Sequence, residues 1–190
     1  NNPGKRVEYE ALLAGVGARL VTPTDLGLGV DVEETGTTYA ENARLKAETL
    51  AQLTGWLTLG DDSGVEVAAL DGRPGLHSAR YAGPGASDAD RRQKLMHELR
   101  QAPAPRPARF VAVVAIARVD LETRCFEGVV EGEILLEERG AGGFGYDPLF
   151  YMPAYQATMA ELPEAVKNRL SHRGRAMEAA LPYLAGLLKG

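Results

Sequence analysis

The amino-acid sequence predicts a single-domain α/β protein. Its 190 residues are 45% hydrophobic and 25% charged, enough to bury a core in one domain of one or two lobes. Residues 109–117 form a run that is apolar at every position after Arg109 and rich in β-branched side chains, typical of a buried central strand. Thr38 and Glu41 have capping-box spacing, and alanines recur every four residues from Ala43, which indicates a helix able to pack closely on a sheet.

Charge and cysteine content exclude several classes of partner. A net charge of −5 gives no general attraction to nucleic acids or anionic membranes, so a local cluster of Lys and Arg must bind any anionic ligand. A lone Cys125 excludes an intramolecular disulfide framework, and with three histidines it disfavours a zinc site. We see neither a signal-peptide pattern nor an apolar run long enough for a membrane. We therefore expect a cytoplasmic protein that binds a small molecule.

The chain begins with a loop at residues 2–5 that enters a helix reaching about Leu12. A helix N-terminus after small residues and beside a lysine offers N–H groups and a cation to a phosphate. A simple N-terminal turn explains the pattern equally well. Because no strand anchors this loop, we expect an apolar strand before Asn1, ending in Thr or Ser two residues before Asn2.

An acidic loop at residues 31–36 follows a short predicted strand at 20–22. The helix that Thr38 starts then carries Asn42 and Lys46 four residues apart, on one face. Most lysines on such a helix are merely solvated. This pair, however, lies within reach of any metal site that the acidic loop forms.

Two consecutive aspartates, Asp61 and Asp62, follow the apolar run 56–59. Residues 60–64 are predicted to form a charged turn at a strand end, with another strand at 65–67. Neighbouring carboxylates repel each other, so a fold that holds them together usually supplies a cation, and oxygen ligands suit Mg²⁺ better than zinc. A solvated Asp-Ser-Gly turn is the alternative, and the motif alone favours it.

The second half of the chain continues with helices and strands. Ser87 and Asp90 predict the next helix start, and residues 124–134 are expected to pair with the central strand. A final amphipathic helix is predicted at 176–189, with a kink at Pro182.

Residues 140–151 surround a phenylalanine and a tyrosine with glycines. Such a segment lets the backbone approach a flat ligand and lets a ring stack on it. A helix predicted at 159–170 ends near three donors, Lys167, His172 and Arg173. A glycine-rich hairpin followed by a helix C-cap is the alternative. We favour a functional segment because a simple turn does not need so many special residues.

Seven motifs together are highly specific and resemble the inosine triphosphate pyrophosphatase family over nearly the whole chain. That family hydrolyses non-standard purine nucleoside triphosphates to the monophosphate and pyrophosphate. The motifs are, in order, Asn2-Pro3-Gly4-Lys5, Glu33-Glu34-Thr35-Gly36, residues 41–47, Asp61-Asp62-Ser63-Gly64, residues 78–83, residues 142–148, and Ser171-His172-Arg173-Gly174. The chain departs from the pattern at Gly60, where alanine is common, and in lacking the opening strand and the loop threonine.

The resemblance implies one domain over residues 1–190 with a mixed twisted sheet, flanking helices and two lobes around a nucleotide-binding cleft. It also implies Mg²⁺ dependence and a homodimer. Phosphates would be bound by Asn2, Lys5 and Lys46, the metal by Glu33 and Asp62, and the water would be activated by Asp62. Asp61 is expected to tune Asp62 or to bind a second ion. Further substrate contacts are expected at Pro3, Gly4, Asn42, Ser63, Phe144, Gly145, Tyr146, Asp147, Lys167, His172 and Arg173.

Phosphoryl hydrolysis depends mostly on positioning and on neutralising charge, so no Ser–His or Cys–His pair is needed. We expect a metal-held water to attack the α-phosphorus, Asp62 to accept its proton, and pyrophosphate to leave with help from a lysine. Donors at His172 and Arg173 would favour inosine and xanthine triphosphates, whose O6 is an acceptor, over ATP. Two alternatives are a pyrophosphatase for pyrimidine or modified triphosphates and a catalytically silent nucleotide-binding protein.

Overall fold

The computed structural model describes residues 2–189. Within that range the α-helices are α1 (Pro3–Leu12), α2 (Tyr39–Thr54), α3 (Asp88–Leu99), α4 (Glu164–Leu170) and α5 (His172–Lys189). The strands are β1 (Thr58–Val67), β2 (Pro107–Arg118), β3 (Leu121–Ile134), β4 (Phe150–Met152) and β5 (Ala157–Thr158). They form one sheet in the order β1-β2-β3-β4-β5, in which β4 is antiparallel to both its neighbours. The predicted α/β class, with a sheet and flanking helices, is confirmed.

The described chain divides into two compact units. Unit 1 comprises residues 2–62, 113–128 and 173–189, and unit 2 comprises 63–112 and 129–172. Strands β1, β2 and β3 each contribute residues to both units. None of the helices found between residues 2 and 189 combines the length and the apolar character needed to cross a membrane.

The core of unit 1 is built on both faces of β2. On one face Val114 and Ile116 pack with buried residues of α5 and with Tyr9 of α1. On the other face Val113 and its alternate neighbours pack with the alanines of α2. Successive strand side chains point to opposite faces, so a run that is apolar at every position is buried on both sides. The prediction of a buried central strand at 109–117 is therefore confirmed.

Unit 2 has its own core, in which α3 packs against β2 and β4. Leu95 and Leu99 are fully buried in it. The rings of Phe110 and Phe150 stack, with centroids 4.2 Å apart. His172 lies on the same aromatic group, 4.7 Å from Phe110.

Both predicted capping boxes are present. Thr38 Oγ1 accepts a hydrogen bond from Glu41 N at 3.1 Å while the Glu41 carboxylate accepts one from Thr38 N. Ser87 and Asp90 make the equivalent pair at the start of α3. These predictions succeed because a capping box involves only residues within one helical turn.

The charged turn predicted at residues 60–64 is wrong, because β1 continues through it without interruption. Gly60 serves a different purpose, since a Cβ there would lie 2.7 Å from the backbone N of Ala47. The glycine therefore allows α2 to approach the strand closely, which a turn prediction from sequence does not consider.

Three other element predictions need correction. Residues 20–22 are not a strand, because Thr22 instead bonds to Asp25 at the start of a short 3₁₀ helix. The helix predicted at 159–170 begins only at Glu164, after Pro163. The last helix begins at His172 rather than at 176 and includes Pro182.

We expect Thr38→Ala to lower the free energy of unfolding by about 1 kcal/mol, the usual cost of losing an N-cap hydroxyl. Thr38→Ser is the matched control, because it keeps the hydroxyl that accepts from Glu41 N. Urea unfolding of both variants gives the measurement. Equal stability of the two variants would show that the cap does not hold α2.

Candidate active site

Asp61 and Asp62 lie next to each other on β1 but have different partners. Adjacent residues of a strand direct their side chains to opposite faces, so the two carboxylates do not share one pocket. Both side chains are nearly buried, at 6% and 9% exposed. Burying a carboxylate is costly unless a cation and hydrogen bonds compensate. Each aspartate should therefore have its own set of donors.

Helix α2 supplies the donors for Asp62. Lys46 Nζ lies 2.9 Å from Oδ1, and Asn42 Nδ2 lies 3.3 Å from Oδ2. Lys46 also donates to the backbone carbonyl of Asp61 at 3.1 Å and pairs with Glu34 Oε1 at 2.6 Å. The predicted placement of residues 42 and 46 on one helix face thus brings both side chains to the same carboxylate.

The ionisation of this pair reflects burial and charge together. Burial raises the pKa of the Asp62 carboxyl above its ordinary value, although Lys46 opposes the shift. Burial alone would lower the pKa of Lys46, but Asp62 and Glu34 outweigh it and raise the pKa. A carboxylate whose pKa is moved upward toward neutrality is suited to accept a proton.

Glu34, which sequence reasoning did not single out, is the acidic-loop residue that pairs with Lys46. Glu33, the predicted metal ligand, is exposed. Its role stays a prediction. Neighbouring side chains of an extended loop point in opposite directions, so either glutamate could face Lys46. The sequence contained no signal to choose between them.

The carboxylate of Asp61 has three donors around it. Lys5 Nζ forms an ion pair with it, Tyr9 Oη donates at 2.8 Å, and Arg173 Nε lies 3.3 Å away. Arg173 Nη1 also pairs with Glu8 Oε2 at 3.2 Å, and both of these residues are only 3% exposed. We call these five residues the α1 charge cluster.

Burial would raise the pKa of Asp61, but Lys5 and Arg173 outweigh it and hold the pKa well below the usual range. This carboxylate therefore stays ionised at neutral pH. The contribution of ionised Asp61 to the stability of the fold is therefore complete above the ordinary aspartate pKa of about 4. It is lost as the pH falls below that value. Burial also lowers the pKa of Lys5, an effect that Asp61 opposes.

Residues 2–5, predicted as a loop before a helix, are instead the N-cap and the first turn of α1 itself. Asn2 is the N-cap, and its Oδ1 accepts a hydrogen bond from Lys5 N at 3.2 Å, while Pro3 occupies the first helical position. Gly4 follows within the first turn, where backbone N–H groups have no partner inside a helix. Phosphate binding by residues 2–5 remains a prediction, and the helix N-terminus that it requires is present.

In unit 2 the glycine-rich segment, residues 140–147, is held in place by Asp147. Its Oδ2 accepts from Phe144 N at 2.9 Å and pairs with Lys167 Nζ at 2.7 Å. Lys167 Nζ also lies 4.9 Å from the centroid of the Phe144 ring, as a cation–π contact. The structure therefore brings together three residues that were predicted to contact substrate.

The other predicted substrate residues of unit 2 are placed separately. Tyr146 is buried, and its hydroxyl donates to the carbonyl of Ser78 at 2.9 Å, so it fixes the segment from inside the core. Gly145 has a positive φ of 61°. Ser63 lies half-buried on β1. His172 stacks on Phe110.

Sequence reasoning missed Glu8 and Tyr9 of the α1 charge cluster. Tyr9 follows Lys5 by four residues, so helical spacing could have suggested that both face one ligand. The Glu8–Arg173 pair joins residues 165 positions apart, and no local pattern predicts it.

The fold and these side chains define an α/β protein with buried carboxylates held by lysines, a site suited to phosphorylated ligands. The chain belongs to the Ham1 family, whose model matches residues 1–183. This confirms the resemblance seen in the sequence.

Named relatives and solved structures agree with that membership. The dITP/XTP pyrophosphatase of Halalkalibacterium halodurans is 47% identical over 178 residues, covering 93% of this chain and 92% of the relative. That of Exiguobacterium sibiricum is 44% identical and covers 97% and 96%. The structure of a HAM1 protein from Coxiella burnetii superposes with a TM-score of 0.88 at 42% identity, covering 98% of this chain and 95% of the other. A nucleoside-triphosphatase / dITP/XTP pyrophosphatase from Mycobacterium abscessus gives 0.74 at 38% identity, covering 97% and 96%.

We expect Arg173→Ala to lower the free energy of unfolding by about 3–5 kcal/mol, because it leaves two buried carboxylates without this cation. Arg169→Ala, which removes an exposed arginine of α4, is the matched control and should have little effect. Denaturant unfolding at neutral pH provides the comparison. If Arg173→Ala is as stable as the control, the guanidinium is not a structural partner of Asp61 and Glu8.

Proposed function

We propose that this protein hydrolyses non-standard purine nucleoside triphosphates, among them ITP, dITP and XTP, to the nucleoside monophosphate and pyrophosphate. The observation that carries the proposal is the buried Asp62 carboxylate between Lys46 and Asn42. Relatives with 44–47% identity over nearly the whole chain that are named dITP/XTP pyrophosphatases support it.

Asp62 is the proposed general base. Its carboxylate has a raised pKa and is held on both oxygens, so it can accept the proton of a water that attacks the α-phosphorus. The phosphorus–oxygen bond to the leaving pyrophosphate then breaks. The proton passes to Asp62 and later to solvent.

The phosphate groups are assigned to the start of α1 and to Lys46. Asn2, Pro3, Gly4 and Lys5 form a helix N-terminus, where N–H groups and the helix dipole favour an anion. Lys46 and Asn42 approach from α2. The side-chain amines of Lys5 and Lys46 neutralise charge that moves onto the leaving pyrophosphate, which is the main requirement of phosphoryl transfer.

We also propose Mg²⁺ as the cofactor. Within residues 2–189 no three metal-ligating side chains form a cluster. The residues still fit Mg²⁺, which nucleotide enzymes commonly hold with one or two carboxylates plus the substrate phosphates. Asp62 is one such ligand, and Glu33 is the proposed second, with Glu34 nearby on Lys46. Asp61, with its three donors, fits the role of tuning the site. When bound, Mg²⁺ would neutralise phosphate charge and acidify a bound water.

The base and its surroundings are assigned to residues of unit 2 and to Arg173. The ring of Phe144 is proposed to stack on the purine, with Gly145, Tyr146, Asp147, Lys167 and Ser63 shaping that site. His172 and Arg173 are the proposed donors to O6, although Arg173 also serves Asp61 and Glu8. Because the substrates arise in the nucleotide pool, we place the enzyme in the cytoplasm, and we expect a homodimer.

Asp62→Asn should reduce turnover of ITP at least about 10²-fold, the scale of general-base removal, because the amide keeps the shape but accepts no proton. ITP binding, measured by calorimetry, should change little. Pyrophosphate release in the presence of Mg²⁺ measures the turnover. Asp120→Asn, on an exposed aspartate that pairs with Arg118, is the control. Near-normal turnover by Asp62→Asn would refute the mechanism.

The substrate order should be ITP and XTP well above GTP, with ATP lowest. O6 accepts from the proposed donors, whereas the 6-amino group of ATP places donor against donor. GTP differs from ITP only in its 2-amino group, and leaving this amine unpaired costs roughly 1–3 kcal/mol. Values of kcat/KM on the four nucleotides decide the order. Preference for pyrimidine triphosphates, or binding without pyrophosphate release, would support the alternatives instead.

A further inference from the structure

Helix α3 holds the glycine-rich segment through both polar backbone groups of a single residue, Gly145. Asp88 Oδ2 accepts a hydrogen bond from Gly145 N at 2.7 Å. One turn further along, Arg92 Nη1 donates to Gly145 O at 2.9 Å. One acidic and one basic side chain of the same helix therefore fix the orientation of this glycine.

Resting on the function proposed above, we infer that Asp88 and Arg92 are positioning residues: they hold residues 142–147 in the conformation that binds the purine base, and so set the affinity for substrate.

The geometry around Arg92 limits its movement. Its side chain is only 14% exposed, and its Nε lies 3.0 Å from Glu138 Oε1. Arg92 thus joins a residue that precedes the glycine-rich segment to a glycine within it. A guanidinium with several donors in a rigid plane is suited to such a double contact, and a lysine offers only a point charge.

Asp88 is also well fixed. It is the first residue of α3, directly after the N-cap Ser87, and it pairs with Arg91. Burial would raise its pKa, but the Gly145 N–H and Arg91 outweigh that effect and lower the pKa. The ionised form is therefore favoured, and hydrogen bonds to an ionised group are the stronger kind.

The residues on either side of Gly145 are anchored as well. Phe144 N donates to Asp147, and Tyr146 Oη donates to Ser78 O. Three consecutive residues are therefore held by four partners, Asp147, Asp88, Arg92 and Ser78. These contacts hold the backbone that carries the Phe144 ring, and α3 makes the two central ones.

Such fixing is needed because the segment is rich in glycine. Gly140, Gly143 and Gly145 all have positive φ, and glycine loses more conformational freedom on ordering than other residues. A loop that is ordered before the ligand arrives does not pay this cost on binding. Loss of the α3 contacts should therefore weaken ligands that carry the base and leave pyrophosphate, which has no base, unaffected.

The test compares Arg92→Ala, Asp88→Ala and the conservative Asp88→Asn, whose amide oxygen can still accept from Gly145 N. Arg100→Ala is the matched control, because it removes an exposed arginine at the end of the same helix, which contacts His97 and lies outside the glycine-rich segment. For each variant, KM and kcat for ITP and the inhibition constants of IMP and pyrophosphate are measured.

We expect Arg92→Ala and Asp88→Ala to raise KM for ITP and the inhibition constant of IMP at least about fivefold, the equivalent of one net hydrogen bond. The pyrophosphate inhibition constant and kcat should stay near wild type, and Asp88→Asn should recover most of the loss. Amide hydrogen exchange over residues 140–147 should be faster in the two alanine variants.

If the variants bind IMP and pyrophosphate more weakly by the same factor, the substitutions have disturbed the site as a whole, and the inference is overturned. So would variants that match Arg100→Ala in every constant while the wild type turns over ITP normally. If the wild type itself releases no pyrophosphate from any nucleoside triphosphate, the proposed function fails, and the inference fails with it.

Discussion

Two buried carboxylates at consecutive positions of β1 are the constraint on which unit 1 depends. A buried charge without a partner costs several kcal/mol, so each aspartate requires cations from elsewhere in the chain. Strand alternation sends Asp61 and Asp62 to different faces. Helix α2 therefore serves Asp62, while α1 and α5 serve Asp61. The pairing of these two neighbouring carboxylates with cations thus ties three helices to β1.

The two environments shift the pKa values of Asp61 and Asp62 in opposite directions. Asp61 has two cations and a hydroxyl around it, and its pKa lies below the ordinary value despite burial. Asp62 shares Lys46 with Glu34, so burial dominates and its pKa lies above the ordinary value. Environments that separate the pKa values of neighbouring carboxylates assign them different roles. This contrast supports the proposal that Asp62 exchanges a proton while Asp61 stays ionised and orders Lys5 and Arg173.

The sequence predicted those features whose causes are local. The capping box at Thr38 and the buried run in β2 depend on residues within one helical turn or one strand, and both are confirmed. The turn predicted around Gly60 failed because that glycine answers to the close approach of α2, a tertiary contact. The Glu8–Arg173 pair spans almost the whole chain, so the sequence could suggest Arg173 only as a ligand-binding residue. Motif resemblance suggested the candidate site, and the partners of its side chains became known only from the structure.

The same requirement for fixed polar groups explains how unit 2 can order a segment in which half of the residues are glycine. Glycines permit the positive φ angles and close backbone approach of residues 140–147, but they supply no side chains to hold the chain in place. The surrounding structure supplies them: Asp147 with Lys167 from one side, and α3 from the other. The backbone that carries the Phe144 ring is thus held by charged side chains, of which Asp147 and Lys167 are buried. Under the inference drawn above, affinity for the base depends in part on Asp88 and Arg92, which are not themselves assigned to contact it.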